Sequence, residues 1–408
     1  MSYKEIKICP ISGKDDKITY LNLGDMPLVN NLNSTREESL KCDRYPLKLN
    51  YYEKSKLSAL SIAIDPTVLF NYYVYKSGTS EPYIHHCKSM YSYISTLVNL
   101  KDGDKILDIG GNDGTLLESF VSQTLLKLST INVDPSENLG KISRKKGIKT
   151  KIAMWSYELS KKIKNCKIIT STNVFQHTQD IEDFAKGVVN SLHKDGIWCL
   201  EFPYWKHDLE TYQYDQIYHE HIYYYLFTSI YNLFKKVGLE IIDVSEHSIH
   251  GGTLRVISRK NRNSPSNDNV LHYFHTVETN FKHIQYYRDW GKRAKAHMGI
   301  SKEYIEKIKK SGKRIACFGA AAKGCIFLNC CGLDYKAIDY IVDDTDLKQG
   351  KFMPGTGIEI VSRDVLIKNP PDYILILAHN FTDYIIKSLK PIYNGKFLVM
   401  FPNIICYE

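Results

Sequence analysis

A chain of 408 residues is longer than one compact core usually holds and points to two or three domains, while 43% hydrophobic and 24% charged residues are ordinary for a soluble globular protein. The N-terminus lacks the apolar stretch of a signal peptide and no apolar run approaches the roughly eighteen residues that would span a bilayer, so a cytoplasmic protein without a membrane partner is expected. Ten cysteines at irregular spacings contain no CxxC pair, so neither a zinc ribbon nor a secreted disulfide framework is indicated, and a net charge of +9 suits an anionic partner without choosing which.

Residues 1–85 carry short apolar runs broken by Pro, Gly, Asn and Lys and read as a small, loop-rich module. It ends in a hydroxyl-rich stretch, Phe70 to Ser80, that suits a sheet edge or a lid over a polar ligand, although half-buried tyrosines explain it as well. A helix is expected from about His85 to Leu100. There follows Lys105-Ile-Leu-Asp108-Ile-Gly110-Gly111-Asn112-Asp113-Gly114-Thr-Leu-Leu117, a buried strand, a glycine-rich turn and an apolar helix start. Glycines let the backbone turn tightly and approach a ligand, and the helix N-terminus presents unpaired N–H groups. The spacing is not GxGxxG, so the loop fits S-adenosylmethionine, which brings no phosphates, better than a dinucleotide. A second strand, Ile131 to Asp134, ends in a carboxylate twenty residues after Gly114, near the spacing of an acid that takes ribose hydroxyls.

Strands over 167–177 and 196–204, separated by an amphipathic helix from Glu182 to Leu192, continue a βαβ rhythm and predict a parallel sheet. Ligands then gather at the strands' carboxyl ends, where Gly110, Asp134, Asn173 and His177 fall. A helix over 226–237 and a hairpin over 240–258 close this domain near residue 260. Residues 261–269 read as a linker, and 271–310 as a helix whose charges form a solvated face. From Lys313 a second Rossmann-like pattern begins. Its small-residue turn, Gly319-Ala-Ala-Ala-Lys323-Gly324, suits either phosphates against Lys323 or close packing of an interface helix.

Between these domains lies Tyr218-His219-Glu220-His221, whose density of phenol, carboxylate and imidazoles follows neither strand nor helix periodicity. An HxH pair is a weak metal signal here, with one nearby carboxylate and no HxxxH helix. Asn369-Pro-Pro-Asp looks like the NPPY of amine methylases but lies in the wrong domain, so nucleic acid is not expected as a partner.

The chain resembles the sugar C-methyltransferases, which methylate a ring carbon of nucleotide-linked keto-deoxysugars in pathways of the tetronitrose and mycarose type. The likeness spans nearly the whole chain: Leu23-Gly-Asp-Met-Pro-Leu28, the glycine loop, Val133-Asp-Pro-Ser-Glu-Asn138, Asn173-Val-Phe-Gln-His177, Glu201-Phe-Pro-Tyr204, Ile217-Tyr-His-Glu-His221, His250-Gly-Gly252, Gly319 to Gly324, Lys348 to Thr356 and His379-Asn-Phe381. It implies an α/β protein: an N-terminal zinc-type module (1–85), a central Rossmann-like methyltransferase domain (86–260), a linker and helix (261–312) and a C-terminal Rossmann-like domain (313–408). The sugar nucleotide would lie between the last two domains, with Lys323 and Asn380 binding it. Asp108, Gly110, Asn112, Gly114, Asp134 and Asn173 would hold S-adenosylmethionine. The family's zinc is held by two CxxC pairs, but here Cys9 is followed by Ser12, and the later pair falls on Tyr52 and Ser55. A tetrahedral site needs about four ligands, so zinc is predicted absent, with Tyr52 and apolar packing in its place.

Methylating a sugar carbon requires removal of a proton beside a keto group, a task for a neutral imidazole. The resemblance implies His221 as this base. Tyr218 and His177 are candidates to donate to the developing oxyanion, Glu220 to orient an imidazole or a sugar hydroxyl, and Tyr72 and Tyr75 to close the site. His219 reads as structural. The alternatives are an O- or N-methyltransferase acting on another small molecule, or an epimerase-like or non-catalytic sugar-nucleotide-binding descendant.

Overall fold

Four sheets organise the protein, for which a computed structural model describes residues 3–70, 76–262 and 268–408. Where the sequence suggests a loop-rich N-terminal module, Lys17–Pro27, Arg44–Tyr52 and Leu57–Leu60 form an antiparallel sheet. Its buried positions include Leu47, Leu49, Tyr51, Tyr52, Leu57 and Ala59, enough apolar surface to order the polar turns between them. A second, two-stranded sheet pairs Tyr3–Glu5 with Ile62–Ile64. The fourth strand of the larger sheet comes from far along the chain: Tyr223 and Tyr224 pair with Ala59 and Ser58.

The central sheet has seven strands, in the order Leu239–His247, Thr253–Lys260, Leu192–Pro203, Cys166–Thr172, Lys105–Ile109, Ser129–Asp134 and Lys149–Ile152. The last five run parallel, and the hairpin adds two antiparallel strands at the edge. The chain order reverses at Lys105–Ile109, so a crevice opens where that strand ends. A six-stranded sheet, parallel except for its final pair, builds the C-terminal part around Ile315–Phe318.

The expected helix over 271–310 is interrupted. A long helix runs only from Ile284 to Lys310, preceded by short helical turns up to Lys282. The cause is Glu278, buried and turned inward: its carboxylate accepts from the Tyr204 hydroxyl (2.7 Å) and from the backbone N–H groups of Phe227 and Thr228 (2.5 and 2.8 Å). It thereby satisfies the orphan donors at the start of helix Phe227–Val237, and one continuous helix would carry it away.

At the four positions where the resemblance would place metal ligands, Cys9 Sγ lies 3.1 Å from Ser55 Oγ and accepts from the Ser12 backbone N–H at 3.4 Å, while the Tyr52 hydroxyl donates to the Ile6 carbonyl. These hydrogen bonds join the two loops that the four family positions occupy. Among the described residues no group of three or more His, Cys, Asp or Glu is placed to hold a metal, and no helix is long and apolar enough to cross a membrane.

Candidate functional site

The strand Lys105–Ile109 delivers the chain to the glycine loop, whose backbone geometry follows from its sequence. Gly110 has φ +72°, and a Cβ there would stand 2.6 Å from Val174. At Gly111 a Cβ would meet Asn132 Oδ1 at 2.5 Å and Asp108 Oδ2 at 2.6 Å. Asp108 lies beneath the loop: it is buried, accepts from Thr170 Oγ1 (2.7 Å), and burial pushes its carboxyl up to about 7. Asp134 ends the next strand and accepts from the backbone N–H groups of Asn112 (2.9 Å) and Ser136 (2.8 Å), which fixes the loop's shape. From the N-terminal side, the backbone N–H of Ser77 donates to Asn112 Oδ1 and that of Gly78 to Asp113 Oδ2, both at 3.1 Å.

Beside this loop lies a cavity of about 440 Å³. Gly110, Asn112, Asp134 and Asn173 line it, whereas Asp108 and Gly114 do not; Gly114 faces Ser143 and Ile148. Asn173 adopts φ +53°, and its Oδ1 and the Oε1 of Gln176 are buried on the cavity wall with no hydrogen-bond partner among the described residues. Two unsatisfied acceptors next to a close backbone approach fit a ligand with amino donors, as S-adenosylmethionine has in its ammonium and its adenine. Sequence reasoning missed Met154 and Trp155, which also line the cavity just past the end of strand Lys149–Ile152; the rule that ligands gather at strand carboxyl ends would have found them.

The same cavity reaches His177, Tyr218 and His221. The stretch 218–221 is held at both ends: the Ile222 N–H donates to the Gln176 carbonyl (2.8 Å), and Tyr223–Tyr224 enter the N-terminal sheet. His177 Nδ1 lies 2.6 Å from the Glu220 carbonyl. Because a carbonyl only accepts, the proton of the neutral ring is on Nδ1, and Nε2 carries the lone pair. His221 Nε2 lies 2.8 Å from the Tyr218 hydroxyl, and the two imidazole centroids are 5.1 Å apart. With the proton of the neutral ring on Nδ1, His221 Nε2 accepts from the Tyr218 hydroxyl. Burial lowers His177 to about 4 and, with the neighbouring His177, holds His221 well below the usual imidazole range, so both rings are neutral at pH 7.

Glu220 does not line the cavity. Its side chain is buried and accepts from Asn30 Nδ2 of the N-terminal sheet module at 2.6 Å; burial pushes its carboxyl up to about 7, against the opposing pull of Asn30. His219 is buried away from the cavity, edge-on to Tyr45 at 6.0 Å. Lys323 and Asn380 stand on the C-terminal wall of the cavity. Lys323 is the second residue of helix Ala322–Cys331, which has no side-chain cap, and burial lowers its ammonium to about 8, opposed by Asp215 and Asp208. Tyr72 and Tyr75 lie outside the described residues.

Residues 83–244 match the family model described as a methyltransferase domain, and residues 248–402 match the one described as a C-methyltransferase C-terminal domain. The C-methyltransferase NovU of Streptomyces niveus is 29% identical over 410 residues, covering 98% of this chain and 96% of that protein. Among solved structures, protein PH0226 of Pyrococcus horikoshii OT3 aligns with 48% of this chain and 96% of its own at 13% identity and a TM-score of 0.37. The magnesium protoporphyrin IX methyltransferase of Synechocystis PCC 6803 aligns with 44% of this chain and 83% of its own at 12% identity and a TM-score of 0.35.

Proposed function

We propose that this S-adenosylmethionine-dependent methyltransferase is a C-methyltransferase, as its likeness to NovU and to the C-methyltransferase C-terminal domain supports, and that its substrate is a nucleotide-linked keto-deoxysugar, methylated at the ring carbon beside the keto group. The observation that carries this reading is one cavity joining the glycine loop, the Tyr218–His221 pair and the Lys323–Asn380 wall. Gly110, Asn112, Asp134 and Asn173 would hold S-adenosylmethionine, which when bound would supply an electrophilic methyl carbon.

In this proposal His221 removes the proton. Its Nε2 lone pair, covered by the Tyr218 hydroxyl in the absence of substrate, takes the proton from the carbon next to the keto group. The C–H electron pair moves onto the carbonyl oxygen, which becomes an enolate, and Tyr218 turns its hydroxyl from the imidazole to that oxygen. The enolate carbon is then the nucleophile for the methyl group that S-adenosylmethionine would supply, the S–CH3 bond breaking as the C–C bond forms and S-adenosylhomocysteine leaving. Burial that disfavours a lone imidazolium costs less here, because the enolate forms beside it as counter-charge. His177 with its proton on Nδ1 supports the reaction as an acceptor for a sugar hydroxyl, since neutral Nε2 has no proton to give an oxyanion. Glu220 holds the loop through Asn30 and through its own carbonyl. Lys323 and the free N–H groups of helix Ala322–Cys331 suit the anionic diphosphate.

His221→Asn is expected to abolish both methyl transfer and exchange of the substrate's ring C–H with solvent deuterium, while S-adenosylhomocysteine still binds. Exchange at the wild-type rate in that variant would move the base elsewhere. Because both imidazoles titrate well below 6.5, wild-type kcat at saturating substrate should not fall as pH drops from 8 to about 6, whereas Lys323, at about 8, gains its charge over that range and should lower KM for the anionic substrate.

A further inference from the structure

Two buried acids stand behind the C-terminal wall of the catalytic cavity and take no part in the steps above. Asp208, on helix Trp205–Glu210, is 6% exposed, and Asp215, on the turn Tyr214–Gln216, is 1% exposed. Asp215 Oδ2 lies 2.9 Å from His379 Nε2, across 164 residues of chain, and because a carboxylate only accepts, the imidazole donates. The second oxygen, Oδ1, is buried with no hydrogen-bond partner among the described residues. A buried carboxylate satisfied on one side only is costly unless a cation lies near it. Lys323 is that cation: Asp215 and Asp208 are the groups that favour its ammonium against burial. Burial and Asp215 in turn hold the Asp208 carboxyl well above the usual carboxylate range, so Asp208 is the acid that keeps its proton. Among the described residues Lys323 makes no hydrogen bond or ion pair of its own, which leaves its ammonium to the cavity, where it is the one Lys or Arg on the described lining.

The turn that carries Asp215 is fixed to the C-terminal part of the chain. The Tyr214 hydroxyl lies 3.3 Å from His297 Nδ1, and His297 Nε2 donates to the Met400 carbonyl at 2.8 Å. Phe401 stands among three rings, with centroids 4.9 Å from His297, 5.0 Å from His379 and 5.1 Å from Tyr214. Cys330 and Cys331, at the end of the Lys323 helix, face this turn as thiols that burial keeps neutral. Gln216, next to Asp215, lines the catalytic cavity. Asn380 and Phe381, next to His379, line it as well, together with a second cavity of about 710 Å³ beyond their turn. The Asp215–His379 pair thus ties two strips of the catalytic wall to each other and sets a negative charge behind Lys323.

We propose that Asp215 is a positioning residue for the substrate: through Oδ2 it fixes His379 and the turn that carries Asn380, and through its charge it keeps Lys323 cationic toward the anionic substrate. That substrate is the one in the sugar-nucleotide reading above, on which this assignment rests, whereas the charge of Lys323 can be followed without it.

The test begins with NMR of the full-length protein labelled with carbon-13 at lysine Cε, the Lys323 signal being the one lost in Lys323→Arg. Asp215→Asn keeps an acceptor for His379 and removes the charge, so the Lys323 titration midpoint should fall by about one pH unit from its wild-type position. It should fall further in Asp208→Asn/Asp215→Asn, where Asp208 can no longer take over the charge. With binding confined to the ammonium form, a fall from about 8 by about one pH unit raises KM for the nucleotide-linked sugar roughly fivefold at pH 8 and hardly at pH 6, with the change in KM rather than kcat. For the second contact, His379→Gln, whose amide can still donate to Asp215, should keep KM near the wild-type value, and His379→Ala should raise it roughly tenfold at both pH values. A Lys323 midpoint unmoved in both the single and the double variant overturns the assignment, as does an equal KM in His379→Gln and His379→Ala. A wild type that methylates no nucleotide-linked keto sugar sinks the substrate reading instead, while the Lys323 midpoint still decides for or against Asp215.

Discussion

Removing the Asn30 carboxamide should destabilise the protein in a pH-dependent way. In the fold Glu220 titrates at about 7 against an ordinary 4.5, because burial opposes its charge, and Asn30 Nδ2 at 2.6 Å is the group that favours the ionised form. A carboxyl raised in the folded state keeps its proton after the unfolded chain has lost it. Stability is therefore lost as pH rises from about 4.5 through about 7, by about 3 kcal/mol in all. Above that window Glu220 is ionised, and Asn30 makes a charge-assisted hydrogen bond worth about 1.5–3 kcal/mol; below it the partner is a neutral acid and the bond is worth about 1 kcal/mol. Asn30→Ala should thus cost about 1–2 kcal/mol more at pH 8.5 than at pH 5.5. Urea unfolding midpoints of wild type and variant at the two pH values measure the difference, and the same comparison in a Glu220→Gln background should erase it. Equal losses at both pH values, or an undiminished pH effect without the Glu220 carboxylate, would refute the reasoning.

Gly111→Ala should weaken S-adenosylhomocysteine binding and cost about 1–3 kcal/mol of stability, because the new methyl group meets Asn132 and Asp108 within 2.6 Å. Gly299→Ala, with nothing within 4 Å of its Cβ on the long helix, should leave binding unchanged and stabilise by up to about 1 kcal/mol. Elemental analysis of protein purified without chelator should find well under one zinc per chain, and stoichiometric zinc would show that Cys9 finds ligands other than Ser12, Tyr52 and Ser55.

Much of the cofactor side was legible because its signals are local. Strand, glycine turn and helix start follow one another within thirteen residues from Lys105 to Leu117, and the carboxylate of Asp134 closes the next strand. The same short-range logic misled over 271–310, where helical composition hid that Glu278 turns inward to cap a helix begun fifty residues earlier. It also put Asp108 and Gly114 in the cofactor's contact shell, although they support the loop from beneath and behind.

By itself the sequence determined the strand and turn propensities, the strand–glycine turn–helix start over 105–117 and the chemical content of Tyr218–His221, because hydrophobic period, glycine freedom and residue type act over a few positions. Only the tertiary structure decided how these parts meet. Asn30 reaches Glu220 across 190 residues, Tyr223–Tyr224 complete a sheet begun at Lys17, and the 379–381 turn joins two cavities. The tautomer of His177 likewise depends on which backbone oxygen lies 2.6 Å from its ring. Contacts of that kind have no period along the chain; they exist only once apolar burial has brought distant segments together, and they settle which nitrogen holds a proton and which cavity wall is charged.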